Sequence, residues 1–130
     1  MSQRIRGITD EEAIGTVKDL FDASNQLLGR TANLQRILAH SLLNQIEGVT
    51  CTMPKGALYL FPKLDVRRFN IQDDERFAFD LLRQEKILVV QGTGFNWPEP
   101  DHFRIVFLPR EEELIEAIGR LGEFLATYRQ

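Results

Sequence analysis

The chain has 130 residues, of which 43% are hydrophobic and 27% are charged, and its formal net charge is -3. This composition is typical of an ordinary globular protein, and the length is close to the commonest size of a single domain. The sequence shows no cluster of Lys and Arg that would indicate nucleic-acid binding. No apolar run approaches the ~20 residues of a membrane helix. We therefore expect one cytosolic domain over residues 1–130, without a nucleic-acid or membrane partner.

Potential metal ligands are sparse in the sequence. Cys51, His40 and His102 are widely separated along the chain, whereas the ligands of structural metal sites usually recur at short, regular spacings. We predict no metal site. A single cysteine also excludes an intramolecular disulfide.

The first half of the chain is predicted to be helical and then to form strands. Thr9–Glu12 places a capping residue and acidic side chains ahead of an apolar stripe, which is typical of a helix start. Residues 10–47 are predicted to form two helices, or one helix kinked near Gly29. Val49–Met53 and Ala57–Phe61 then predict two strands joined as a hairpin.

The second half alternates between strands and helices. After an irregular stretch over residues 62–70, Asp73 is expected to open a helix. The apolar run Ile87–Val90 predicts a strand covered on both faces, and so a central one. Phe103–Leu108 predicts another strand and residues 110–128 a last helix. This order favours an α/β (α+β) sandwich, in which helices pack on a small, largely antiparallel sheet.

Four short motifs, taken in order, carry a resemblance to a known family. They are Gly56–Pro62, Gln91–Pro98, Asp101–Val106 and Leu108–Pro109. Together they resemble the C-terminal small domain of class I/II aminotransferases of the alanine aminotransferase type, which are pyridoxal-phosphate enzymes of fold type I. The resemblance covers residues 24–130, and residues 1–23 form an N-terminal segment of uncertain role.

The resemblance implies that Arg104 binds the α-carboxylate of the substrate. A planar guanidinium suits this task because it offers two parallel donors to a carboxylate. Strand alternation places Arg104 opposite Phe103 and Phe107, beside Val106 and Leu108. Because a charge on a largely apolar face is costly unless it is paired, we expect an acidic ligand or a protein carboxylate next to it. A structural ion pair with an Asp or Glu is the alternative interpretation.

A glycine-containing loop before the Arg104 strand is the second candidate part of the site. The resemblance places this loop at the active-site rim, where glycines let the backbone approach a ligand. Without the resemblance it is simply a turn, and Trp97 is as compatible with packing as with a pocket wall. The nearby Asp101–His102 pair has no accompanying nucleophile and is interpreted as structural. The candidate wall residues are Gly92, Thr93, Gly94, Phe95, Asn96 and Trp97.

The chain lacks groups that transamination requires. The reaction needs a lysine that bonds to the cofactor and groups that hold its ring and phosphate, and the resemblance assigns these to a large domain. None of the lysines here has the Ser-x-x-Lys setting of that domain. We therefore expect no catalytic residue in this chain, no binding of pyridoxal phosphate by the chain alone, and no activity in isolation. The lysines are Lys18, Lys55, Lys63 and Lys86.

The sequence leaves three functions open. The leading hypothesis is the small domain of an amino-acid:2-oxo-acid aminotransferase acting on alanine, pyruvate and glutamate, with a large domain as partner. The second is a non-catalytic module that binds an amino acid or oxo acid through Arg104 and the loop over residues 91–97. The third is an interaction protein whose apolar face binds another copy or a separate large domain.

Overall fold

The computed structural model describes residues 30–55 and 58–130, and residues 34–130 form one compact unit. The helix expected from residue 10, the uncertain segment 1–23 and the first part of the Gly56–Pro62 motif lie outside the described residues. The elements in chain order are α1 (Arg30–Gln45), β1 (Val49–Thr50), β2 (Tyr59–Leu60), β3 (Lys63–Leu64), α2 (Val66–Phe69), α3 (Asp74–Glu85), β4 (Val90–Gln91), a 3-10 helix (Gly92–Phe95), β5 (Phe103–Val106) and α4 (Glu111–Thr127).

The described strands form two small antiparallel sheets. β1 pairs with β3, with Val49 opposite Leu64. The other sheet has the order β2-β5-β4, with Leu60 opposite Ile105 and Val90 opposite Arg104. The predicted mixture of helices and a small antiparallel sheet is therefore confirmed.

The predicted hairpin between Val49–Met53 and Ala57–Phe61 is wrong. β1 pairs with β3 and β2 pairs with β5, so the two segments belong to different sheets. The stretch up to Asn70, expected to be irregular, contains β3 and the short helix α2. The Asp65 carboxylate begins α2 by accepting hydrogen bonds from two of its backbone N–H groups. Local alternation identifies a strand but does not specify its partner, because the partner can lie far along the chain.

β4 is an edge strand, so the prediction that Ile87–Val90 is central is also wrong. Among the described residues, Val90 and Gln91 pair only with β5, and the rest of the apolar run is not paired. Val89 is 5% exposed, whereas Leu88 is 75% exposed. One side of this apolar run thus faces the core and the other is uncovered. The central strand is β5, which pairs on both sides.

The core lies between the helices and one face of β5. Phe77 of α3 packs its ring against Phe103 of β5 and Phe124 of α4, with centroids 5.6 Å and 6.2 Å apart. Asp73 begins α3 as predicted, since its carboxylate accepts a hydrogen bond from the third backbone N–H of that helix. None of the described helices has the length and apolar character needed to cross a bilayer. The predicted stripe of α4 is buried: Leu114, Ile118, Leu121 and Leu125.

Candidate functional site

One face of the three-stranded sheet carries the candidate site. Residues that pair across an antiparallel ladder project to the same face, and neighbours along a strand project to opposite faces. Arg104 therefore lies opposite the buried Phe103, as predicted. We call this side the Arg104 face; its side chains are those of Tyr59, Phe61, Val90, His102, Arg104 and Val106.

Two aromatic rings hold the Arg104 guanidinium. Its Cζ lies 4.5 Å from the ring centroid of Tyr59 and 4.2 Å from that of Phe95. Each such cation–π contact contributes about 0.5–1 kcal/mol at an exposed site. The rings attract the cation but do not satisfy its five N–H donors, which need oxygen acceptors. Among the described residues, the two contacts fix the position of the guanidinium and leave its hydrogen-bonding capacity for another group.

The carboxylate expected beside Arg104 is not supplied by the described part of the chain. Within residues 34–55 and 58–130, the ion pairs involve other cations. Arg120, for comparison, is paired with both Glu85 and Glu116. The structural ion pair is therefore not formed among these residues, and an acidic ligand for Arg104 stays a prediction.

The candidate wall is a 3-10 turn rather than a simple loop. The Gly92 backbone N–H donates to the His102 carbonyl at 2.8 Å, and a Cβ at Gly92 would lie only 2.9 Å from that oxygen. Glycine is therefore required there. Gly94 is different, since the nearest atom to an added Cβ would be 3.5 Å away. Asn96, with a left-handed φ of 60°, closes the turn by donating its N–H to the Thr93 carbonyl.

Trp97 belongs to a separate cluster at the end of the Arg104 face. Its indole N–H donates to Asp101 at 2.8 Å, and the ring nitrogen Nδ1 of His102 lies 2.7 Å from the same carboxylate oxygen. The Phe61 ring stacks on His102 at 4.7 Å. Burial raises the pKa of Asp101, but hydrogen bonds from His102 and Trp97, together with the nearby Lys63 charge, hold it below its usual value. This geometry suits the structural interpretation of the Asp101–His102 pair.

Two residues that contact the site were not singled out from the sequence. Tyr59 lies within the Gly56–Pro62 motif, and its alternation with Leu60 was the available signal that it faces away from the core. Asp74 was assigned only to the start of a helix. Its carboxylate instead bonds Thr93 in the candidate wall, a contact that no local pattern indicates.

The comparison with known families decides the assignment. The profile of the family described as aminotransferase class I and II matches residues 14–121. The chain belongs to this family. It is 50% identical over 123 residues to the glutamate-pyruvate aminotransferase AlaA of Haemophilus influenzae, covering 92% of this chain and 30% of that protein. It is 58% identical over 115 residues to the alanine aminotransferase of Mycobacterium bovis, covering 88% of this chain and 26% of that protein.

Solved aminotransferase structures share the fold. An Escherichia coli aminotransferase matches with a TM-score of 0.76 and 52% identity, over 77% of this chain and 25% of that one. The alanine aminotransferase from Pyrococcus furiosus matches with a TM-score of 0.70 and 34% identity, over 85% of this chain and 30% of that one. The chain thus spans less than a third of the length of these relatives.

Pyridoxal phosphate, the cofactor of class I and II aminotransferases, does not fit the described residues of this chain. A site for it needs an available amine with groups for the ring and the phosphate. The Lys63 amine lies 3.6 Å from Asp101, and the Lys86 amine donates to the Arg83 carbonyl at the end of α3. Lys55 is an exposed side chain in a bend.

Proposed function

We propose that this chain is the C-terminal small domain of an alanine- or glutamate-pyruvate-type aminotransferase, and that Arg104 binds the α-carboxylate of the amino acid or 2-oxo acid. The names of the relatives support the substrate class. The observation that carries the role of Arg104 is its position between Tyr59 and Phe95 without an ion pair among the described residues.

The chemistry of Arg104 matches this substrate class. The name of one relative specifies glutamate and pyruvate. In both molecules a carboxylate is attached directly to the carbon that reacts. A guanidinium can hold that carboxylate through two parallel, charge-assisted hydrogen bonds. Because the rings of Tyr59 and Phe95 restrict the side chain, less entropy is lost when the ligand binds. The carboxylate is thereby oriented while another part of the enzyme performs the chemistry.

The uncovered apolar surface supports a large domain as the partner. Side chains around the Arg104 face and the adjoining edge of β4 are 40–75% exposed: Leu88, Phe95, Trp97, Val106 and Leu108. A groove of about 590 Å³ also lies between α4 and the strands β4 and β5. Exposed apolar surface, when it is contiguous, usually marks an interaction site. Self-association of the chain is the alternative occupant of the same surface.

Titration of the chain with pyruvate and with L-alanine, followed by NMR, tests the proposal. We expect shifts that centre on Arg104 and saturate. Arg104→Lys should weaken binding by about tenfold or more, because lysine is a point charge without the two parallel donors. Arg83→Lys is the matched control, since Arg83 also lies over a ring, that of Phe79 at 6.0 Å, but on α3.

Two results would contradict the proposal. Shifts that do not involve Arg104, or equal losses of affinity in the two lysine variants, would remove its role as carboxylate-binding group. Alanine-dependent transamination by the isolated chain with added pyridoxal phosphate would show that the catalytic groups do not lie in a separate large domain.

A further inference from the structure

We propose that Asp74 is a positioning residue for Arg104: it fixes the Gly92–Phe95 turn through Thr93 and so holds the Phe95 ring against the guanidinium. The effect of this positioning role on ligand binding rests on the proposed carboxylate-binding function of Arg104. The contact chain itself, from Asp74 to Thr93, Phe95 and Arg104, can be tested separately.

Burial sets Asp74 apart from the other acidic residues. It is 3% exposed, and among the described residues the only other buried polar side chain is that of Gln35. A buried carboxylate is costly unless hydrogen bonds replace its hydration. Asp74 gains both of its bonds from one residue: Oδ2 accepts from the Thr93 backbone N–H at 2.9 Å, and Oδ1 accepts from the Thr93 hydroxyl at 2.7 Å.

Helix capping does not explain this arrangement. Asp73, not Asp74, accepts the capping hydrogen bond from the Arg76 backbone N–H at 3.1 Å. The macrodipole of α3 favours an acidic residue in the first turn, but this requires neither burial nor two bonds to a residue 19 positions further along. The side chain of Asp74 therefore fastens the turn to the helix rather than starting the helix.

The turn is held at two adjacent points and carries Phe95 beyond them. Gly92 is bonded to the His102 carbonyl just before β5, and Thr93 is bonded to Asp74 on α3. Phe95 follows two residues later and is 43% exposed, so packing holds its ring only in part. The second attachment prevents the turn from rotating about the first. Loss of the Thr93–Asp74 bonds should therefore move the Phe95 ring away from Arg104.

The experiment uses variants of the two bonded residues and a control at the same helix start. Thr93→Val removes the hydroxyl but keeps the shape and the backbone N–H, whereas Thr93→Ser keeps the hydroxyl. Asp74→Asn removes one of the two acceptors. Asp73→Ala is the control because it removes the cap of α3 without touching the turn. Phe95→Leu gives the NMR position of the Arg104 side-chain protons when no ring current acts from that side.

We expect Thr93→Val and Asp74→Asn to move the Arg104 δ and ε proton resonances towards their positions in Phe95→Leu. The same two variants should weaken pyruvate binding by up to about fivefold, the size expected when one exposed cation–π contact no longer holds Arg104 in place. Thr93→Ser should retain wild-type values. Asp73→Ala should lower the thermal midpoint and leave the Arg104 resonances unchanged. If Asp74 had a purely structural role, Asp74→Asn and Asp73→Ala would instead affect these resonances alike.

Arg104 resonances that stay at wild-type positions in Thr93→Val and Asp74→Asn would overturn the proposal. So would an equal displacement in Asp73→Ala, since general destabilisation would then explain the effect. If the wild-type chain binds no pyruvate but the resonances move as expected, the carboxylate function fails and the positioning role stands. If pyruvate binds through Arg104 but neither variant changes the resonances or the affinity, the positioning role alone fails.

Discussion

The two faces of β5 differ in how completely this chain covers them. On one face Phe103 is fully buried against rings of α3 and α4. On the other face Arg104 lies between Tyr59 and Phe95, which stay almost half exposed. The first face is a finished core, whereas the second uses its aromatic side chains to hold a cation. One strand thus separates residues that form the core from the face that carries Arg104.

The same substitution on the two faces should have very different effects on stability. Phe103→Ala should lower the free energy of unfolding by about 3–5 kcal/mol, because it removes a fully buried ring and leaves a cavity. Phe95→Ala should cost about 1 kcal/mol or less, because the half-exposed ring loses mainly its cation–π contact with Arg104. Urea denaturation of both variants measures the difference. Similar losses for the two phenylalanines would show that the faces are not distinct.

The attachment of the turn to β5 can be tested with two glycines. Gly92→Ala should lower the free energy of unfolding by about 1–3 kcal/mol, because its Cβ would press against the His102 carbonyl and shift backbone. Gly94→Ala should stay within about 0.5 kcal/mol of wild type, since ordinary contact distances remain. Thermal unfolding of the pair provides the measurement. Equal tolerance at both positions would mean that the turn is not held closely against β5.

The parts of the fold that could be predicted from the sequence depend on local signals. The helix start at Asp73 follows from capping chemistry, and the buried stripe of α4 from a period of 3.6 residues. The pairing of β1 with β3, and the edge position of β4, could not be predicted in this way. Both depend on which distant segments compete for a strand's open edge, and an apolar run such as Ile87–Val90 does not reveal that Leu88 is left uncovered.

In the candidate site, too, local sequence signals predict some features and contacts between distant segments decide the others. Alternation within one strand was enough to place Arg104 opposite Phe103. The aromatic contact of Tyr59 depends on the register between β2 and β5, in which Leu60 lies opposite Ile105. The bond from Asp74 to the turn joins residues on two separate elements. Neither contact has a signature in a short window of sequence, although both fix the surroundings of the predicted residue.

Substitution in the polar cluster at the end of the Arg104 face should give the smallest change in stability, and this change should depend on pH. Burial raises the pKa of Asp101, but its hydrogen bonds with His102 and Trp97 and the Lys63 charge together lower it by more. The net result is a pKa below the usual value. A carboxyl group whose pKa is depressed in the folded state stabilises the fold above its unfolded pKa of about 4, and this contribution is lost as the pH falls through the folded pKa. Asp101→Asn should therefore be less stable than wild type near neutral pH.

This difference between wild type and Asp101→Asn should shrink as the pH is lowered below about 4. Chemical unfolding at a series of pH values measures it, with Glu99→Gln as the control because that carboxylate is exposed in the same loop. The control should show a smaller change. A difference that grows in acid would mean that the charge on Asp101 does not stabilise the cluster, and that packing of Trp97 and His102 alone closes this end of the face.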